Sequence, residues 1–396
     1  FMLWYPQSGT PELACSLDYD ARTKTAKLNV SQVTPSTPGQ NKKDPLLIPL
    51  KVGLLGASGD DLPLVLEDGS KVRDGMLEMR ERSQSFTFRD IPAAPIPSLL
   101  RGFSSPVRLT QNSDLPQIEF LMRHDDDAFN RWQAAQSYAT VLLVAASRGG
   151  SNLERVSGEE ASRLASALAA TAKDDALLSA YRAEFLKLPN ESDIARELAR
   201  DVDTDAVRRA RETLRATIGT AIRDDLIALY QANQQSCAYS PDADSAGKRA
   251  LRAAALDLLV GTGDPAEAER AFRHYEDATN MTDSISALAL LAFLDGRLRD
   301  EALADFYQRW QEEPLVLDKW FAVLARAARE DSVEIVHALL SHPKFSLKNP
   351  NRIRALIGSF SHSNPTGFNR ADGAGYRLLA AQALERTESI TFTAEW

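Results

Sequence analysis

Hydrophobic and polar side chains alternate along the first 112 residues in the pattern of short β-strands. One predicted strand carries Leu28 and Val30 on a single face, and another carries Ile48 and Leu50. Because successive side chains of a strand point to opposite faces, such pairs indicate strands with one buried side. Runs rich in glycine, proline and aspartate separate the strands as turns. The pattern predicts a small antiparallel β-sandwich over residues 1–112.

From residue 113 onward, apolar residues recur instead at the three- and four-residue spacing of amphipathic helices. One such helix places Val207, Ala210 and Leu214 on a single face, and Ser157 with Glu160 has the spacing of a capping box. The helices follow one another at intervals of roughly 20–25 residues, without the fixed period of a named repeat. This predicts antiparallel helix pairs stacked into an irregular α-α superhelix over residues 113–396, so the fold class is multidomain, β then α.

Residues 349–360 have the clearest helix boundaries in the chain. Asn349 suits the capping position, Pro350 suits the first helical position, and Gly358 predicts a left-handed exit. Arg352 and Arg354 lie near the positive end of this helix, where a cation loses roughly 0.3–1 kcal/mol against the helix dipole. Two interpretations remain open at this point: a pair of solvated surface arginines, or a patch that attracts an anion.

Composition narrows the possible functions. A length of 396 residues suggests two or three domains. The net charge of −9, which resides in the second part of the chain, argues against a nucleic-acid binder. Cys15 and Cys237 are the two cysteines and lie far apart, which fits a reducing, cytoplasmic location. No apolar run approaches the roughly 20 residues of a membrane span, so no membrane partner is expected.

Histidines and glycines supply no recognisable catalytic motif. His337 and His342 are five residues apart without the glutamate of an HExxH site, so the histidines are interpreted as surface or helix-end residues and no metal site is predicted. The sequence from Val260 to Ala266 superficially matches a GxGxxA dinucleotide motif. It follows a helical pattern rather than a strand, so a corner between two helices is predicted, with Asp264 as the cap of the second helix.

Clustered acidic and aromatic side chains also receive structural interpretations. Asp125, Asp126 and Asp127 lack the spacing of a calcium loop and are interpreted as a solvated turn or helix terminus. Trp320 and Phe321 lie on apolar helix faces, as does Trp310, and these rings are predicted to belong to the core.

Several stretches, in the same order along the chain, resemble the C-terminal half of the bacterial aminopeptidase N family of zinc-dependent alanyl aminopeptidases. They are Trp4-Tyr5-Pro6-Gln7-Ser8-Gly9-Thr10-Pro11-Glu12, Phe120-Leu121-Met122-Arg123-His124 with Phe129, Arg131-Trp132 and Ala134-Ala135-Gln136, Asn280-Met281-Thr282-Asp283, Leu317-Asp318-Lys319-Trp320-Phe321, residues 349–360, and Asp372-Gly373 with Gly375-Tyr376. The resemblance implies an immunoglobulin-like β-sandwich over residues 1–112, followed by a helical superhelix of the armadillo or HEAT kind over residues 113–396, in agreement with the periodicity.

The resemblance also implies where the chemistry lies. The catalytic domain of the family, with its GxMEN and HExxH motifs, is absent from this chain, so no catalytic residue and no zinc ligand is assigned. Zinc is expected in the missing catalytic domain, and the expected partners are the missing N-terminal and catalytic domains together with a peptide substrate. Arg354 matches a family arginine that lines the internal cavity, where it would attract the C-terminal carboxylate of a peptide.

The two ends of the chain depart from the family pattern. The chain starts at Phe1 rather than at a methionine, which favours a fragment of a longer protein. Residues 387–396 are rich in threonine and weakly alternating, unlike the helices expected there, so the superhelix is predicted to be truncated or altered at this end. The alternative hypothesis is a stand-alone protein- or peptide-binding module on a helical-repeat scaffold.

Overall fold

The structure is a computed structural model that describes residues 1–235 and 238–393. Its contacts divide the chain into two compact units, Phe1–Tyr138 and Ala139–Trp396. The first unit therefore holds the predicted sandwich together with α1, Leu115–His124, and the first half of α2, Ala128–Ser147. The domain boundary after residue 112 stays a prediction.

The first unit is built on two small sheets. Its strands are β1 Glu12–Asp20, β2 Thr25–Val33, β3 Ile48–Leu55, β4 Met76–Met79, β5 Ser83–Phe88, β6 Ile96–Leu99 and β7 Arg108–Gln111. One sheet has the order β5-β2-β1-β7 and the other β4-β3-β6. Neighbouring strands run antiparallel except for β1 and β7, which are parallel. The predicted β-sandwich is confirmed.

The core of the sandwich follows the predicted alternation. Leu28 and Val30 of β2 are buried, as are Ile48 and Leu50 of β3. Gln32 continues the buried face of β2, and its amide group hydrogen-bonds the backbone of Leu46, both as donor and as acceptor at 2.8 Å, and the carbonyl of Glu81 at 3.0 Å. A buried amide is tolerated when its hydrogen-bonding groups are paired.

The second unit is helical. Its helices after α2 are α3 Glu159–Lys173, α4 Ser179–Phe185, α5 Glu191–Leu198, α6 Thr204–Ala221, α7 Arg223–Ala232, α8 Ala243–Gly261, α9 Pro265–Glu276, α10 Met281–Leu291, α11 Arg297–Trp310, α12 Pro314–Arg326, α13 Ser332–Leu340, α14 Pro350–Ile353, α15 Ser359–Ser363, α16 Pro365–Phe368 and α17 Ala374–Thr393. Among these described residues, no helix combines the length and apolar content needed to cross a membrane.

The helices pack as an irregular array, as predicted. Many helices contact the next helix in the chain; α9 contacts α10, for example, and α11 contacts α12. In addition, α8 contacts the more distant helices α4 and α6. The crossing of α6 and α8 is close at Gly219, where a Cβ atom would lie 2.2 Å from the backbone oxygen of Leu258. Only glycine lets the two backbones approach this far.

Local predictions in the second unit had mixed outcomes. Asp264 caps α9 through its side chain and Pro265 is the first helical residue, as predicted. The capping box at Ser157 is wrong, because Gly158 occupies the capping position of α3 and Glu160 instead forms an ion pair with Arg155. Residues 387–393 belong to the helix α17, and the truncation or alteration of the superhelix at this end stays a prediction. Residues 394–396 lie outside the described residues.

Candidate functional site

The helix that begins after Asn349 passes through an irregular turn. Oδ1 of Asn349 accepts hydrogen bonds from the backbone nitrogens of Asn351 at 3.0 Å and Arg352 at 3.3 Å, which confirms the predicted cap. The chain then forms α14, a π-helical turn over Arg354–Gly358, and α15. Gly358 has a right-handed helical conformation, so the predicted left-handed exit there is wrong. Single π-helical turns of this kind insert one extra residue into a helix.

Arg352 is a buried structural residue rather than a solvated one. Its side chain is 5% exposed, and Nε donates to Oδ1 of Asp318 at 2.5 Å. Its Nη atoms hydrogen-bond the backbone carbonyls of Lys344 and Pro314, and the guanidinium lies 4.9 Å from the centre of the Phe321 ring. The interpretation of both arginines as solvated is therefore wrong for Arg352.

An aromatic cluster of Trp320 and Phe321 from α12 and His342 from the loop after α13 lies beside this ion pair. Phe321 is fully buried, as predicted, and its ring contacts those of Trp320 and His342. Burial lowers the pKa of His342, and the positive charges of Arg352 and Lys344 lower it further. The cluster fixes the position of the helix that carries Arg354.

Arg354 lies on the exposed side of the same helix. Its Nη1 atom donates to Oδ1 of Asn351 at 3.4 Å, and no carboxylate pairs with it among the side chains that the structure describes, which exclude those of residues 385–396. The two arginines are two positions apart, which places them on different helix faces. The structure therefore separates a buried arginine that holds the helix from an exposed arginine whose guanidinium remains available to an anion.

His274 lies in the last turn of α9, as predicted for a helix-end histidine, but it is buried. Its Nδ1 atom lies 3.1 Å from Oη of Tyr230, which also accepts a hydrogen bond from Arg252 at 3.0 Å. On the other side of the ring, Nε2 lies 3.7 Å from Oδ1 of Asp283. This network ties α7, α8, α9 and α10 together, and no sequence motif marks it.

The acidic run after α1 is likewise more buried than predicted. Asp125 is 2% exposed and accepts a hydrogen bond from Arg101 at 3.1 Å, while Asp127 caps the start of α2 through Asn130. Arg101 also forms an ion pair with Asp61. Asp125 directly follows α1 and Asp127 caps α2, so the interpretation as a helix terminus is confirmed, whereas Asp125 is not solvated.

The chain offers no cluster suited to a metal ion within the part that the structure describes: no three histidine, cysteine, aspartate or glutamate side chains converge there. Three protein ligands are the minimum of a catalytic zinc site. The zinc implied by the family resemblance therefore does not fit the described residues of this chain.

Comparison with protein families gives two matches. The model described as "Domain of unknown function (DUF3458_C) ARM repeats" covers residues 116–389, and a second, described as a "Domain of unknown function (DUF3458) Ig-like fold", covers residues 9–112. The chain belongs to the DUF3458_C family. The helical repeats and the immunoglobulin-like fold of these descriptions agree with the fold seen here.

Individual proteins similar to this chain show how much of a longer protein it matches. Aminopeptidase N of Escherichia coli (strain K12) is 36% identical over 382 residues, which is 96% of this chain and 43% of that protein. Aminopeptidase N of Caulobacter vibrioides is 38% identical over 386 residues, 97% of this chain and 43% of that protein. The crystal structure of Legionella pneumophila aminopeptidase A in complex with aspartic acid matches with a TM-score of 0.80 and 28% identity, over 96% of this chain and 43% of that one. The predicted resemblance to the C-terminal domains of aminopeptidase N is confirmed.

Proposed function

We propose that this chain is the non-catalytic part of a zinc aminopeptidase that removes N-terminal residues from peptides, and that its helical unit forms the cavity wall limiting substrate access. The observation that carries the proposal is the similarity to aminopeptidase N, at 36% identity over 96% of the chain. The chain spans less than half the length of these relatives. Zinc and the catalytic residues would belong to a catalytic domain elsewhere in the longer protein, which is the proposed partner of this chain.

Arg354 is the residue proposed to meet the substrate. Its guanidinium is exposed and forms no ion pair with any described carboxylate, so its charge is not neutralised locally. The π-helical turn that begins at Arg354 closely follows the buried Arg352, whose ion pair with Asp318 connects this helix to α12. A guanidinium held in this way can attract the C-terminal carboxylate of a peptide lying in the cavity.

The test uses the intact enzyme and pairs of peptides that differ only at the C-terminus, as free acid or as amide. Arg354→Ala should raise KM for the free acids by about two- to fivefold, the range of an exposed ion pair, and leave KM for the amides unchanged. Arg354→Lys should retain most of the effect because it keeps the charge. Arg326, an exposed arginine at the end of α12, provides the matched control Arg326→Ala.

Equal changes of KM for acids and amides would remove the proposed role of Arg354. A separate measurement tests the assignment as a non-catalytic part: the purified chain with added zinc should not hydrolyse alanyl-4-nitroanilide. Sustained turnover by the chain alone would refute that assignment.

We also propose a cytoplasmic location, supported by two cysteines that lie far apart in sequence.

A further inference from the structure

The edge strand β7 covers only part of β1. The pairing of the two strands ends where Cys15 lies opposite Gln111, but β1 continues as far as Asp20. After Gln111 the chain turns sharply, because the backbone nitrogen of Ser113 donates to the carbonyl of Gln111 at 3.0 Å, and then enters α1. Among the strands that the structure describes, none therefore pairs with residues 16–20 of β1 on this side.

The uncovered part of this edge carries unpaired backbone groups. The backbone nitrogen of Arg108 in β7 donates to the carbonyl of Pro11 at 2.9 Å, so the odd-numbered residues of β1 direct their N–H and C=O groups towards β7. By the same alternation Leu17 and Tyr19 direct theirs towards the uncovered edge, where the described residues form no hydrogen bond with them. Such a row of donors and acceptors is a template for another extended backbone.

A cleft of about 130 Å³ adjoins this uncovered edge. It is lined by Leu17 and Tyr19 of β1, by Pro97 and Leu99 of β6, and by Ala94 in the segment before β6. Because an apolar cavity of about 150 Å³ holds one benzene molecule, this cleft has room for one large side chain. A side chain that enters it leaves water for a mostly apolar surrounding, which favours binding.

The polar part of the lining consists of neutral groups. Ser16, Gln111 and Asn112 contribute to it, and none of the residues that line the cleft is acidic or basic. A charged side chain would therefore lose its hydration there without gaining an ion pair. Gln111 also bridges the two sheets beside the cleft, because its amide nitrogen donates to the carbonyl of Pro97 at 3.1 Å. The cleft favours a neutral, apolar side chain.

The alternation along β1 decides which side chain of an added strand would enter the cleft. Leu13 and Cys15 are buried in the core, and Leu17 continues the same inward-facing row. Residues that lie opposite each other on neighbouring strands face the same side of a sheet, so a residue opposite Leu17 directs its side chain inwards. Its two neighbours face outwards, like the exposed Ser16 and Asp18. One extended segment can thus pair with the edge and fill the cleft together.

We propose that the uncovered edge of β1 binds an extended segment of a partner polypeptide, which adds to the sheet as a further strand beside Leu17 and Tyr19 and places one aliphatic side chain in the cleft. The added strand continues the row of hydrogen bonds that β7 already makes with β1. The backbone groups select an extended conformation, and the cleft selects the side chain at one position. The site does not involve Arg354 and does not depend on the proposed peptidase function.

Isothermal titration calorimetry of the full chain with the pentapeptide acetyl-Thr-Leu-Thr-Val-Thr-amide tests the proposal. The probe has the length of the uncovered residues 16–20, and its blocked ends offer neither the amino terminus that an aminopeptidase recognises nor a carboxylate for Arg354. Replacing its leucine and valine by alanine should weaken binding about tenfold, because less apolar area is buried in the cleft. Absence of binding by the unmodified probe would overturn the proposal.

Two N-methylated forms of the probe test the pairing of the backbones. One carries the methyl groups on the leucine and valine amides, and the other carries them on the threonine amides. Alternate amides of a strand face opposite edges, so only one of the two forms should lose hydrogen bonds to β1 and bind about tenfold more weakly. Equal binding of both forms and the unmodified probe would overturn the proposal.

A pair of variants locates the binding. Ala94→Phe places a ring in the cleft from an exposed position and should weaken binding of the probe at least about tenfold. Ala93→Phe is the matched control, because Ala93 is also exposed but does not line the cleft. Equal binding by the two variants, with folding verified by circular dichroism, would overturn the proposal. Self-association of the chain that Ala94→Phe abolishes, together with no binding of the probe, would assign the edge to a second copy of the chain instead.

Discussion

Replacing Arg352 by alanine should destabilise the helical unit, because Arg352 is one half of a buried ion pair. The side chains of Arg352 and Asp318 are 5% and 15% exposed, so water cannot solvate the carboxylate that the substitution leaves behind. Removing one partner of such a pair costs about 3–5 kcal/mol. The contact of the guanidinium with the Phe321 ring, at 4.9 Å, adds about 0.5–1 kcal/mol to the loss.

Thermal unfolding followed by circular dichroism at 222 nm measures this loss, because the helices of the second unit dominate that signal. For a unit of this size, about 2–4 °C of melting temperature corresponds to each kcal/mol, so Arg352→Ala should lower the transition by roughly 7–24 °C. Arg354→Ala is the matched control. It removes an exposed guanidinium from the same helix and should change stability by no more than about 0.5 kcal/mol.

A double variant distinguishes the effect of an unpaired buried charge from the effect of lost side-chain packing. Arg352→Met combined with Asp318→Leu replaces the pair by apolar side chains and should recover most of the stability lost in Arg352→Ala, because it leaves no unpaired buried charge. If the Arg352→Ala protein melts within about 1 °C of the Arg354→Ala protein, the ion pair between Arg352 and Asp318 does not stabilise this helix. In that case the ion pair does not position Arg354 either.

Two further predictions concern packing and pH. Gly219→Ala should destabilise the chain by about 1–3 kcal/mol, because the added Cβ would meet the backbone of α8 at 2.2 Å. Gly358→Ala is its control: the nearest atom to its Cβ would be 3.8 Å away, and alanine should stabilise the helix by about 0.5–1 kcal/mol. Urea unfolding measures both, and equal losses would contradict the close approach. Because the pKa of His342 is lowered in the folded state, the unfolded chain binds more protons and stability should fall as pH drops below 6.5. His342→Gln should reduce the difference between unfolding midpoints at pH 7.5 and 5.5, and an unchanged difference would count against this assignment.

Periodicity predicted the elements of both units because burial of one face is a local requirement on the sequence. The strand around Val30 and the helix around Leu214 each place their apolar residues at the spacing of the element they form. The partners of buried charges are not local. Asp318 is 34 positions from Arg352, and Arg101 is 24 positions from Asp125, so no local pattern could reveal that these side chains are buried.

The candidate site was likewise predictable only in its local features and not in its long-range contacts. The spacing of Arg352 and Arg354 indicates different helix faces, but it does not indicate which face is covered, because that depends on α12 and on the loop after α13. The π-helical turn has no sequence marker, and Gly358 was a reasonable helix end by composition. The aminopeptidase relationship came from ordered stretches of similarity rather than from any physical property of those residues.

The parallel pairing of β1 with β7 has a consequence for synthesis on the ribosome. β1 lies between β2 and β7 in its sheet, and β7 ends the sandwich segment at Gln111. The sheet therefore cannot be completed until nearly the whole segment has left the exit tunnel, and contacts between residues so distant in sequence form slowly. Until then β1 has an unpaired edge, the kind of edge that invites aggregation. The helices, whose neighbours are mostly close in sequence, have no such delay, so a chaperone that protects the nascent chain would be needed most over β1.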